Sequence, residues 1–318
     1  MKLGRLLFCG VALALGAAQA EAADTVRAIK AASVAWTFTV LDVGQQKGIF
    51  AKYGIEVEIS SAGGDAKLQQ ALASDSADFG LGSGPSMAFV AKGAPQIAVA
   101  AFAGAPRNIG IIVAPDAPYK TIRDMKGKTV AVTTAGSLTE WLAKQASLQE
   151  GMGPDGLKTA ALGTFETSLA ALKTHEVDGI VAAVESGYRL EELKQGRLLT
   201  GLEKYAPHFI THVVFARQAL VAQKPDVVER FLKGFFVTIA YMKANKDETD
   251  AVGMKVLDLS KTVMDKTYDY EISMFIDDGQ FDPLAVAVLK KSFVEMGTLP
   301  AEPKDDQLFT TEFVPVKP

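Results

Sequence analysis

Short strand-like runs alternate with helical ones along most of this chain, in two successive series. That rhythm restricts the fold more than any other feature. Parallel strands need a long crossover between them, and an intervening helix supplies it, so βαβα order implies mainly parallel sheets covered by helices. The first series places strands at Thr25–Ala32, Ile55–Ser60, Asp78–Leu81 and Ile97–Phe102. Its helices are expected over Phe38–Lys52, from a capping Asp65 through Leu72, and over Pro85–Lys92, with Pro85 in the favoured first position. The strand Asn108–Pro115 closes that series; the second has strands at Lys128–Thr133, Lys158–Ala161 and Gly179–Val184, with Phe209–Ala216 again strand-like after it. Helices Ser137–Gln149, Thr164–Lys173 and Tyr188–Lys194 lie between them. Beyond residue 216 the texture is helical only: Pro225–Asn245, Asp250–Leu259, Met264–Phe275 and Pro283–Met296.

A length of 318 residues suits two folding units. The helical tail cannot fold alone and is expected to pack on the first unit. The expectation is therefore an α/β chain of two lobes joined by two crossovers, near Ile111–Pro115 and Thr211–Ala216. Lobe one would comprise 23–113 and 213–318, and lobe two 114–212. Ligands of open parallel sheets sit beyond the carboxyl ends of the strands, which points to the cleft between the lobes.

Residues 1–22 have the layout of a secretory signal peptide. Lys2 and Arg5 precede the apolar run Leu6–Ala18, and small residues then offer cleavage near Ala20 or Ala22. The run is shorter than the ~20 residues a membrane span needs. Cleavage would remove Cys9, the only cysteine, so the mature chain would have no thiolate, disulfide or cysteine-held metal. The net charge of −4 argues against a nucleic-acid partner. His175, His208 and His212 are not at metal-ligand spacing with carboxylates, so no metal or cofactor is expected.

Two turns can carry chemistry. In the first, a strand runs through Gly82, Ser83 and Gly84 into a helix start at Pro85 and Ser86. Small residues let a ligand approach the backbone, and the helix start offers unpaired N–H groups. The plainer reading is a tight turn. A similar turn recurs at Thr133, Thr134, Gly136 and Ser137, where Ser137 with Glu140 also reads as a capping box. The recurrence favours ligand contact at both. Trp36 and Thr37 follow the first strand, in a loop at the cleft edge where an exposed indole can stack on a ligand. Glu185, after the strand ending at Val184, either points into the cleft or faces water. Arg107 is the best positive candidate near a crossover, although the sequence favours a solvated surface arginine. Gly84-Pro85-Ser86-Met87-Ala88 is a weak variant of the hydrolase nucleophile elbow, with His208 or His212 as base by chain order. An exported serine hydrolase using Ser86 is the alternative reading.

Three segments carry a family resemblance: Gly44–Ile59 (GQQKGIFAKYGIEVEI), Ala71–Gly84 (ALASDSADFGLGSG) and Thr121–Val132 (TIRDMKGKTVAV). With them the chain resembles the solute-binding proteins of ABC importers in the nitrate/sulfonate/taurine family. The resemblance implies a two-lobed periplasmic binding protein that closes like a hinge on a small anionic or dipolar ligand. It also implies an ABC permease in the inner membrane as partner, a periplasmic location and a monomer. A sensory protein feeding a receptor has the same sequence features. The cysteine-rich active-site run of the related thiamin-pyrimidine synthases is missing from this sequence.

Overall fold

The computed structural model describes residues 23–317. The expected signal segment, with Cys9, lies outside the described residues. Ten strands form two five-stranded sheets: β1 (Asp24–Lys30), β2 (Ile55–Ser61), β3 (Phe79–Ser83), β4 (Gln96–Ala103), β5 (Ile109–Val113), β6 (Thr129–Val132), β7 (Lys158–Ala161), β8 (Gly179–Ala183), β9 (Arg197–Gly201) and β10 (His212–Arg217). The orders are β2-β1-β3-β10-β4 and β7-β6-β8-β5-β9. Each sheet is mainly parallel, with one reversed strand, β10 in the first and β5 in the second. The expected two-lobed α/β architecture is the one found.

The sheet boundaries differ from expectation in one instructive way. The sequence places β5 in the first lobe through residue 113, yet it pairs with β8 and β9 in the second sheet. The chain therefore crosses between lobes before β5 and again between β9 and β10. Its two crossovers run side by side: the Thr211 N–H donates to the Ala103 carbonyl at 2.9 Å, and its hydroxyl donates to the Gly104 carbonyl. Strand β9 has no counterpart in the sequence reading. Every residue of this edge strand is half-buried, so it lacks the alternation that marks a strand with one wet face.

Local chemistry explains how three helices differ from expectation. The stretch Phe38–Lys52 splits into a 3-10 turn (Trp36–Thr39), a helix (Val40–Gln46) and a second 3-10 turn (Phe50–Tyr53), because Gly48 adopts φ +64°. That break drops Phe50 between Gly44 and Gly234, whose missing side chains leave it room. Pro85–Lys92 becomes a 3-10 turn (Gly84–Ser86) and a short helix (Met87–Ala91), since the Gly84 N–H is tied to the Thr211 carbonyl. Tyr188–Lys194 instead begins at Val184, whose N–H donates to the Asn108 carbonyl.

The C-terminal helices cover the first lobe, as expected. Phe231 and Phe235 on the helix Pro225–Ala244 pack against Phe50, Phe79 and Phe102. Two later helices also reach the second lobe. The helix Lys261–Glu271 packs on the helix Val184–Glu192. Glu295, ending Pro283–Glu295, accepts hydrogen bonds from Trp141 and Gln145.

Candidate functional site

The lobes and both crossovers meet at one buried seam. The backbone N–H of Trp36, in the first lobe, donates to a carboxylate oxygen of Glu185, in the second, at 3.0 Å. Glu185 follows Val184, which is bonded to Asn108 of the first crossover. The Asn108 side chain meets His212 Nε2 at 2.9 Å. The His212 ring lies 4.7 Å from that of Phe38, two residues past Trp36, which closes the circuit. Several polar atoms on this ring are buried without a partner: Thr37 Oγ1, Asn108 Oδ1 and Glu185 Oε2, with the indole N–H of Trp36. Buried polar groups are ordinarily paired, so such a concentration makes the seam the candidate site.

The electrostatics are acidic. Glu271, at the end of the helix Lys261–Glu271, is fully buried beside Glu185, and neither of its oxygens has a donor. Burial first, and then the Glu185 charge, push the Glu271 carboxyl well above the usual range. Burial likewise raises Glu185. Tyr188, one turn from Glu185, is pushed up to about 12 by burial and by the surrounding glutamates. Burial lowers His212 to about 3, so its imidazole is neutral.

Of the expected site residues, Trp36, Thr37 and Glu185 sit on this seam. Trp36 is not the exposed stacking group the loop suggested. Its ring is wholly buried against Tyr268 and Phe275, at centroid distances of 5.7 and 5.4 Å. Burying an indole of this size contributes about 3 kcal/mol, which offsets the ~1–3 kcal/mol cost of its unpaired N–H. Gly82 and Ser83 border the seam through the pairing of Ser83 with His212.

The two turns are not the anion cradles they resembled. Asp65 is the first residue of its helix rather than the cap, and its carboxylate occupies the first turn. It accepts from the Ser83 N–H at 2.9 Å and from the Ser83 hydroxyl at 2.7 Å. Ser86 donates to the Ser83 carbonyl at 2.7 Å and accepts from Gln69. The Gly84 backbone is pressed against the Ile210 carbonyl, which leaves no space for a ligand there. In the second turn the Thr133 and Ser137 hydroxyls pair with Thr139, Ser137 caps its helix, and the Gly136 N–H goes to Glu140. Thr134 is exposed. A Cβ added at Gly136 would meet the Thr298 methyl at 3.3 Å.

Among the described residues no hydrogen bond links Ser86 to a histidine, so the nucleophile-and-base contact of a serine hydrolase is missing. Arg107 turns to Tyr270: its Nε donates to the Tyr270 carbonyl at 2.8 Å and its guanidinium lies 5.1 Å from that ring. No group of His, Cys, Asp and Glu among the described residues is arranged to hold a metal ion. No helix of the described residues is long and apolar enough to cross a membrane. A larger concavity, of about 400 Å³, is lined by the crossovers at Gly104 and Pro207–Ile210 and by Ile276–Ala285. Of the residues singled out in the sequence, only His208, a possible base of the hydrolase reading, lines it.

Sequence reasoning missed Asn108, Glu271 and Tyr188 and treated His212 only as a possible base. A reversed strand that begins at a histidine beside an asparagine on the other crossover leaves no local signal; the contact is made by topology.

A model of the NMT1/THI5-like family matches residues 36–249. A Haemophilus influenzae protein named for thiamine biosynthesis is 26% identical over 218 residues, 65% of each chain. The chain thus spans just under two thirds of that relative's length. The alkanesulfonate-binding protein SsuA from Xanthomonas axonopodis pv. citri, solved bound to MOPS, superposes with a TM-score of 0.74 at 16% identity, covering 89% of this chain and 97% of that one. The aliphatic sulphonate-binding protein SsuA from Escherichia coli gives 0.73 at 18% identity, covering 90% and 92%. The desulfurization enzyme DszB also matches, with a TM-score of 0.67 at 14% identity, covering 91% and 97%. At these identities the likeness is one of fold, and that fold serves both binding proteins and an enzyme.

Proposed function

Because the chain belongs to the NMT1/THI5-like family, we propose that it is the exported substrate-binding component of an ABC-type importer, closing its lobes on a small polar organic molecule. One observation carries the reading: four segments, from both lobes and both crossovers, converge on buried polar atoms that have no partner. Such a seam forms only when the lobes are together, so a ligand bound there favours the closed state. The paired crossovers supply the hinge. The signal-like layout of residues 1–22 supports export to the periplasm, and the family resemblance supports a permease of the inner membrane as partner.

The anionic ligand expected from the sequence loses its support at the first turn, where a carboxylate already holds Ser83. A dipolar molecule remains compatible with the seam. No covalent step is required of any residue.

The test is a thermal-unfolding screen of the purified protein over sulfonates, nitrate, carboxylates, zwitterions, amines and neutral heterocycles. Stabilisation of about 2.7 kcal/mol is expected at a hundredfold excess over the dissociation constant. Ester hydrolysis that disappears in Ser86→Ala would instead favour the hydrolase.

A further inference from the structure

The seam carries two carboxyl groups that nothing in the protein neutralises. Glu185 begins the helix Val184–Glu192, and Glu271 ends the helix Lys261–Glu271. Both are at least 98% buried, and the two helices that carry them pack against each other. Glu185 spends one oxygen on the Trp36 N–H; its other oxygen and both of Glu271 have no donor. The guanidinium adjacent in sequence to Asn108, that of Arg107, is committed to Tyr270.

Position makes the pair costlier still. The C-terminal end of a helix favours cations, and Glu271 is a carboxylate at such an end. Two like charges buried together cost several kcal/mol unless a positive group or a proton lies with them. A residue retained at that cost, in an interface that opens and closes, has the character of a ligand contact. The neighbouring orphans agree independently: Asn108 Oδ1 is a spare acceptor, and Thr37 Oγ1 is a hydroxyl with no partner, both at least 97% buried.

We propose that Glu185 and Glu271 together receive a protonated nitrogen group of the ligand, an amine or an amidinium, with Asn108 Oδ1 as a third acceptor. The ligand is then a small organic cation or zwitterion gripped at its positive end. This assignment rests on the binding-protein reading above and narrows its substrate class.

Four probes that share one ring separate the possibilities: benzamidine and benzylamine against benzoate and benzenesulfonate, each titrated calorimetrically into the purified protein. The cationic pair is expected to bind and the anionic pair not. Glu271→Gln and Glu185→Gln, both near-isosteric, are each expected to weaken benzamidine by at least about tenfold while the folded circular-dichroism spectrum is kept. If one variant fails to fold, the other carries the comparison. Preference for the anions, or benzamidine affinity unchanged in the folded variants, overturns the assignment. That result means the carboxyls merely share a proton, and the binding-protein reading survives whenever some solute still binds. Binding of none of the four, nor of any solute in the wider screen, overturns both.

Discussion

Glu185 accepts the backbone N–H of Trp36 across the lobe boundary at 3.0 Å, with both residues buried. This single contact joins the loop after β1 to the helix after β8, and it places a carboxylate at a buried seam between the lobes.

The pair it forms with Glu271 makes stability depend on pH. Burial raises both carboxyls, Glu271 further through the Glu185 charge, and Glu191 and Glu203 add to the negative field around Tyr188 nearby. The folded state therefore keeps a proton that the unfolded chain releases. The associated stability is fully present below the ordinary value of 4.5 and is lost as pH rises through the raised folded value. Glu271→Gln is permanently neutral. In urea titrations it should exceed the parent by on the order of 1–3 kcal/mol at pH 8 and match it at pH 4. A less stable variant at pH 8 contradicts the acidic seam.

His212 has the opposite sign. Burial lowers its folded value from 6.5 to about 3, so the unfolded chain binds the proton more readily. The stability tied to neutral His212 is present above pH 6.5 and falls away as pH drops from there towards 3. His212→Gln, measured in the Glu271→Gln background to remove the opposing limb, should flatten the stability profile between pH 6 and about 4. An unchanged slope would place the imidazole in water.

Asp65 ties its helix to the end of β3 through two hydrogen bonds to Ser83. Asp65→Ala removes both and should cost about 1–3 kcal/mol in chemical denaturation. Ser83→Ala removes only the hydroxyl bond and should cost about 1 kcal/mol. Equal losses would mean that the backbone bond contributes nothing.

Gly84 is defined by proximity rather than by φ. A Cβ there overlaps the Ile210 carbonyl oxygen, whereas at Gly163 a Cβ meets nothing, though φ is +84°. Gly84→Ala should therefore force the second crossover outward, at a cost of about 1–3 kcal/mol or more. Its mark, distinct from that of Gly163→Ala, is faster hydrogen exchange at Thr211, whose N–H bonds the other crossover.

The layered architecture was legible because burial on two faces writes itself into sequence as apolar runs separated by amphipathic helices. Ser137 as a cap, the strand Lys158–Ala161 and the cover given by Pro225–Ala244 all follow from such local rules. The candidate site was half legible. Glu185 stood out because it follows a strand, but its partner Glu271 lies 86 positions away on a tail helix. Trp36 was misplaced for the same reason: a loop residue is judged exposed until Tyr268 and Phe275, far along the chain, close over it. The serine turns misled because a helix start looks alike whether a ligand or a neighbouring Asp65 satisfies it.

Closure of the lobes on a ligand is the central claim, and an inter-lobe distance tests it most directly. Lys67 and Glu166 are exposed residues in the first turns of the helices Asp65–Ala73 and Phe165–Lys173, one in each lobe. Lys67→Cys and Glu166→Cys together, in a chain begun after residue 22, accept two spin labels. Pulsed electron-electron resonance should give a broad or two-peaked distance distribution without ligand and a single shorter distance at saturation with the best binder of the screen. A distribution that does not change when a bound solute saturates the protein contradicts the account.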